Sequence, residues 1–130
     1  MENNNKIKIL KKLQIGYLEN MIKKKITHKY KAVACHADGI RFDSKLERSY
    51  YIHLKNIQKS GEVIFFLRQV PFDLGGKVKF FCDFQVFYEN GDIEFIDIKG
   101  FDTPLGIAKR KILEDIYPIK IKIVKRNEIF

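Results

Sequence analysis

Apolar and polar residues change rhythm several times along these 130 residues. Over residues 6–25, Leu10, Leu13, Tyr17, Leu18, Met21 and Ile22 recur at helical spacing with lysines between them. That pattern predicts a helix, weakened at Gly16. Residues 26–42 read as an extended leader with a turn at Asp38-Gly39. Ser44 and Glu47 have the spacing of a capping box, so a second helix is expected from Asp43 or Ser44. Its stripe is Leu46, Tyr50, Leu54 and Ile57, and Ser60-Gly61 ends it. The period then drops to two. Residues 63–67 and 70–72 are strand material, with Pro71 marking an edge or a break. Gly75-Gly76 is a turn, and residues 78–88 and 92–99 are two further strands. Thr103 and Pro104 suit the cap and first position of a third helix, expected to bury Leu105, Ala108, Ile112 and Ile116. Tyr117-Pro118 stops it, and residues 119–125 alternate as a last strand. The predicted order is α, α, β, β, β, α, β in an α/β protein.

Length and charge narrow the picture. A chain of this size makes one domain with a real core. No run of about 18 apolar residues is present, which argues against a membrane span. The opening Met-Glu-Asn-Asn-Asn-Lys lacks the apolar core of a signal peptide, so the expected compartment is the cytoplasm. There Cys35 and Cys82 are expected as free thiols. The net charge is +9, and residues 1–31, with nine Lys against two Glu, carry +7 of it, leaving +2 for the rest. A basic arm on a nearly balanced body points to a polyanion partner, nucleic acid before membrane, although a solvated lysine-rich helix gives the same charge.

The turn at Asn90-Gly91 decides what the charged residues can do. Asp83, Asp97 and Lys99 lie in runs that should be buried, where a charge is costly unless paired or metal-bound. A two-residue hairpin at Asn90-Gly91 would put Asp83 on the opposite face from Asp97 and Lys99. A three-residue loop, Glu89-Asn90-Gly91, with Gly91 left-handed, pairs Tyr88 with Asp92 instead. Paired positions then sum to 180, and Asp83 faces Asp97. One face carries Phe81, Asp83, Gln85, Phe87, Ile93, Phe95, Asp97 and Lys99. The other carries Cys82, Phe84, Val86, Glu94, Ile96 and Ile98. Two facing carboxylates repel unless a proton or cation lies between them, and a hard cation such as Mg²⁺ or Mn²⁺ suits oxygen donors. The competing reading is structural, with Lys99 neutralising Asp97. A zinc site built on Cys35-His36 lacks partners, and His28, His36 and His53 are read as structural.

These residues resemble the PD-(D/E)XK nuclease superfamily. The resemblance rests on Asp83, on Asp97-Ile98-Lys99, on Glu47 in the preceding helix, and on the element order from Asp43 onward. Within the superfamily the chain looks like a family of small phage and prophage endonuclease-like proteins. Lys29-Tyr30-Lys31-Ala32, residues 38–47, Leu54-Lys55, Gly61-Glu62, Gln69-x-Pro71-Phe72, Asp83-Phe84, Asp97-Ile98-Lys99-Gly100 and Lys109-Arg110-Lys111 carry that likeness, over about residues 29–124. Cys82 stands where the superfamily motif has Pro.

The resemblance implies a restriction-endonuclease-like α-β-β-β-α-β core, a mixed central sheet flanked by helices, over residues 29–130. A basic helix or arm over residues 1–28 is added to it. It implies a Mg²⁺- or Mn²⁺-dependent endonuclease acting on DNA in phage DNA metabolism within a bacterial host, structure-selective and resolvase-like. Asp83, Asp97, the Ile98 carbonyl and Glu47 would serve the metal. Lys99 would meet the phosphate, and Gln69 would orient water or phosphate. Lys109, Arg110, Lys111, Lys29 and Lys31 would touch the DNA backbone. A homodimer and other phage DNA-processing proteins are the expected partners. A non-catalytic nucleic-acid-binding or interaction subunit is the competing function.

Overall fold

The computed structural model describes residues 35–129. The expected helix at 6–25, the arm at 1–28, and His28, Lys29 and Lys31 lie outside the described residues. The described elements are β1 (Cys35–Ala37), β2 (Ile40–Phe42), α1 (Lys45–Lys59), β3 (Val63–Gly75) and β4 (Val78–Tyr88). They continue with β5 (Ile93–Ile98), α2 (Pro104–Ile116), β6 (Ile121–Val124) and α3 (Arg126–Ile129). Strands β3-β4-β5-β6 lie side by side in that order. The β4–β5 pair is antiparallel and the β5–β6 pair parallel, so the sheet is mixed and the chain is α/β. Antiparallel neighbours can share a tight turn, whereas the parallel return needs a crossover, which α2 supplies.

Three local readings change. The expected leader up to residue 42 contains a small hairpin, with Cys35 opposite Phe42 and the turn at Asp38-Gly39. Both turn residues have positive φ, 50° and 74°, as a type I′ turn requires. Of the two alternatives at Pro71 the edge holds and the break does not, so residues 63–67 and 70–72 join in one strand, β3, at the edge of the described sheet, where a missing N–H is tolerated. A short helix, α3, follows β6.

The described chain falls into two compact units. The first contains residues 71–81 and 102–119, the tip of the β3–β4 hairpin and α2. Leu74, Val78, Phe80, Ile112 and Leu113 are buried there. Tyr117 Oη donates to the Asp73 carbonyl at 2.8 Å, and its ring meets Phe72 edge-on. The inward stripe of α2 therefore departs from expectation, because Leu113 is buried and Ile116 is exposed. Arg110 is buried as well, although the sequence sets it in a basic band between Lys109 and Lys111.

The second unit contains residues 35–70, 82–101 and 120–129. Its core joins Phe42, Leu46, Tyr50, Tyr51 and Leu54 to Phe84, Val86, Ile96, Ile98 and Val124. Tyr50 and Phe84 pack with ring centres 5.4 Å apart, and Tyr51 Oη donates to Asp38 at 2.9 Å. These contacts pin α1 to one face of β4 and β5, and with it the position of Glu47 in the first turn.

Candidate acidic site

The β4–β5 loop sets the site. Phe84 lies opposite Ile96, Gln85 opposite Phe95, Val86 opposite Glu94 and Phe87 opposite Ile93. Every pair sums to 180, the register of the three-residue loop. Gly91 adopts φ 92°, Tyr88 N–H donates to the Asp92 carbonyl at 2.9 Å, and Gly91 N–H returns to the Tyr88 carbonyl at 3.1 Å. The glycine is needed because a side chain at that φ is strained. The apolar centre of the hairpin, Cys82, Phe84, Val86 and Ile96, is wholly buried on one face.

Beyond Phe84 the ladder gives way to side-chain chemistry. Asp83 Oδ2 accepts from the Ile98 N–H at 2.8 Å. Continued by one pair, the same register sets Asp83 opposite Asp97, and the Asp83 pKa is pushed up to about 8. Burial is the largest cause, the Asp97 charge the next, and the Ile98 N–H pulls the other way. Asp97 is 2% exposed, and its Oδ2 lies 3.0 Å from Lys99 Nζ. That approach is a charge contact without hydrogen-bond alignment, because the same buried oxygen has no hydrogen-bond partner. Cys82 lies alongside, its thiol pushed up to about 12 by burial and by the Asp97 charge, so it is a packed thiol and not a nucleophile.

Glu47 reaches the same place from α1. Ser44 Oγ accepts from the Glu47 N–H at 3.0 Å, which is one half of a capping box. The other half is not used, because the Glu47 carboxylate turns to Gln69 (3.1 Å) and Arg68 (3.5 Å). The backbone N–H of Glu47 is thus capped while its carboxylate is held by Gln69 and Arg68. Burial raises its pKa against the opposing pull of Arg68.

Gln69 joins the two halves. Its Nε2 donates at 3.1 Å both to Glu47 Oε1 and to Asp83 Oδ1. Gln69 has φ 50°, unusual for a residue with a Cβ. Consecutive side chains in a regular strand point to opposite faces. The left-handed residue breaks that alternation, so Arg68 and Gln69 both reach one carboxylate. Strain of about 1–2 kcal/mol at such a position is commonly found beside functional sites. Arg68 is the residue that sequence reasoning missed. Its guanidinium lies 4.4 Å from the centre of the Phe42 ring. The signal was an arginine set in a strand of aromatic and aliphatic residues.

The structure thus gathers Glu47, Gln69, Asp83, Asp97 and Lys99 on one connected chain of contacts, with the Ile98 backbone within it. The donors are oxygens, two carboxyls are pressed together, and one buried oxygen lacks a hydrogen bond. Carboxylate oxygens are the type of donor that a hard divalent cation takes. Among the described residues no three His, Cys, Asp or Glu side chains form a group able to hold a metal ion as they stand. Glu47 joins the Asp83–Asp97 pair only through Gln69.

The basic band of α2 is reduced. Arg110 is buried and bidentate to Asp102, at 2.8 Å from Nη1 and 2.5 Å from Nη2, so it is not available to a DNA phosphate. Lys109 Nζ donates to the Lys79 carbonyl at 3.3 Å. Lys111 is exposed. His36 sits in the small hairpin opposite Arg41, and His53 packs its ring against Tyr50. Cys35 and Cys82 are free and buried. Among the described residues no helix is long and apolar enough to cross a membrane.

A family model described as a protein of unknown function, DUF1064, matches residues 27–128. Neither the curated proteins nor the solved structures contain a match to this chain.

Proposed function

The chain belongs to the DUF1064 family, whose description assigns no activity, and we propose that it is a metal-dependent endonuclease of the PD-(D/E)XK type. The observation that carries this reading is the β4–β5 register that sets Asp83 across from Asp97, with Lys99 at 3.0 Å from Asp97 and Glu47 tied to Asp83 through one glutamine amide. A pair of acids held together, one half-buried and one buried, is costly to a fold that gains nothing from it.

In this reading Asp83, Asp97 and the Ile98 carbonyl hold Mg²⁺ or Mn²⁺. When bound, such an ion acidifies water and neutralises charge developing on a phosphate. Lys99 leaves its charge contact with Asp97 to donate to a phosphate oxygen, which its exposed side permits. Glu47 accepts a proton from the attacking water or orients it, aided by an environment that already raises its pKa. Gln69 fixes the spacing of Glu47 and Asp83, and Arg68 keeps Glu47 in place. Lys111 and lysines within residues 1–31, Lys29 and Lys31 among them, meet the DNA backbone. The substrate is DNA, cut in a structure-selective manner by a homodimer in phage DNA metabolism.

One observation favours a second reading. Lys99 is already engaged by Asp97, as a purely structural ion pair would be. A non-catalytic nucleic-acid-binding subunit would then bind DNA with salt dependence and indifference to metal. Incubation with supercoiled plasmid, branched junctions and single strands separates the two. The nuclease reading expects nicking or cutting with Mg²⁺ or Mn²⁺, none in chelator, and none by Asp97→Asn. Absence of metal-dependent cleavage of every substrate by the wild type would sink it.

A further inference from the structure

Strand β5 ends at Ile98, and Lys99 continues its path by donating its N–H to the Val124 carbonyl at 3.0 Å. Two residues later stands Phe101, 79% exposed. Its Cα lies within about 7 Å of the Lys99 Cα, since each step of chain spans at most about 3.6 Å. Between them, a Cβ placed on Gly100 would meet nothing within 4 Å. The chain therefore leaves the acid pair, passes an open space and presents an aromatic ring to solvent.

Single exposed apolar residues are ordinary on protein surfaces. The position of this one is what separates it from Ile52 or Ile64, exposed elsewhere. An exposed aromatic residue two positions along the chain from a cation, with open backbone between, matches the pairing used for single strands, in which a cation takes the phosphate and a ring takes the face of a base. In a duplex both faces of each base are covered by its neighbours, so such a ring finds no partner.

We propose that Phe101 stacks on an unpaired base of the strand held at Asp83 and Asp97, so that the substrate class is DNA with a single-stranded or splayed segment at the point of cutting. This rests on the nuclease reading above and names its substrate. Lys99 takes a phosphate of the strand, Gly100 gives the backbone room to pass, and Phe101 holds a nearby base. A ring this exposed carries little of the core, so its removal leaves the fold intact.

The chain has no tryptophan, which gives the test a direct signal. Binding is measured in chelator, so that no strand is cut, by fluorescence anisotropy with a single strand, a splayed duplex and a fully paired duplex of one sequence. The wild type should bind the single strand and splayed duplex more tightly than the paired duplex. Phe101→Ala should lose about tenfold on the first two and little on the third, the loss of one stacked base. Phe101→Trp should restore binding, and its emission should be quenched by the splayed duplex and not by the paired one. Equal affinity of wild type and Phe101→Ala for splayed DNA, or equal quenching by both duplexes, overturns the proposal. The two readings fail separately. Metal-dependent plasmid cutting with an inert Phe101 leaves the nuclease and removes the stacking. Phe101-dependent binding without any cutting leaves the stacking and removes the nuclease.

Discussion

Two aspartate–cation pairs occur in this protein, and they are built in opposite ways. Asp102 and Arg110 satisfy each other, with Oδ1 accepting from Nη1 and Oδ2 from Nη2. Asp97 and Lys99 touch through one oxygen, which is buried and lacks a hydrogen bond, and Asp97 has a second acid against it. The first arrangement is complete and fastens the start of α2 to its second turn. The second is incomplete, with a carboxyl that keeps its proton below about pH 8 and leaves a charge over above it. A pair that closes on itself holds structure together. A pair that leaves charge over is ready for a ligand.

Exchanging the two aspartates is the strongest way to break that contrast. Asp97→Asn should lower metal-dependent cleavage by more than about 100-fold, beyond the loss usual for residues that only support metal ligands. It should change metal-free stability by no more than about 1 kcal/mol, because Lys99 can reach water. Asp102→Ala should do the reverse. It strands a buried Arg110 and should cost about 3 kcal/mol in denaturant melts, with cleavage per folded molecule unchanged. If the two variants give the same profile in melts and plasmid assays, the contrast is wrong.

A smaller effect should appear with pH. The Asp83 carboxyl titrates near 8 in the fold against 3.8 when unperturbed. The folded state therefore binds this proton more tightly than the unfolded chain does. Its contribution to stability is intact below about pH 4 and is lost as pH rises through about 8. In chelator the melting temperature should fall across that window, and Asp83→Asn should flatten the fall. A melting temperature that rises steadily from pH 4 to 8, in wild type and variant alike, would mean that the acids are not pressed together.

The smallest effect concerns the loop. Gly91→Ala places a Cβ at φ 92° and should cost about 1–2 kcal/mol. Cleavage at temperatures below the melt should persist, since Asp83 and Asp97 keep their register. A variant as stable as the wild type would show that the left-handed residue is not what holds the loop.

The parts of this site that could be read from sequence are those fixed locally. The β4–β5 register follows from a glycine three residues past Tyr88 and from charges that must converge, and both are visible in the chain. The capped start of α1 and the Thr103–Pro104 start of α2 are equally local. The link between Glu47 and Asp83 was not legible, because Gln69 adopts its left-handed backbone without a residue type that announces it. Arg110 misled for a related reason. Between Lys109 and Lys111 it reads as one of three surface cations, and the partner that buries it lies eight residues back, before the helix begins. Ile116 was expected inside by spacing alone, whereas the neighbouring stripe through Leu113 is the buried one.

The Glu89-Asn90-Gly91 loop also fixes which changes of length this hairpin can survive. Side chains on a strand alternate, so adding or removing one residue in the loop would send Asp97 and Lys99 through the sheet into the space of Phe84 and Ile96, and bring Ile96 and Ile98 out to Asp83. Adding two residues would restore every side chain to its own face. Chains built on this plan should therefore differ at the loop by even numbers of residues, and an odd difference should coincide with loss of the acid pair.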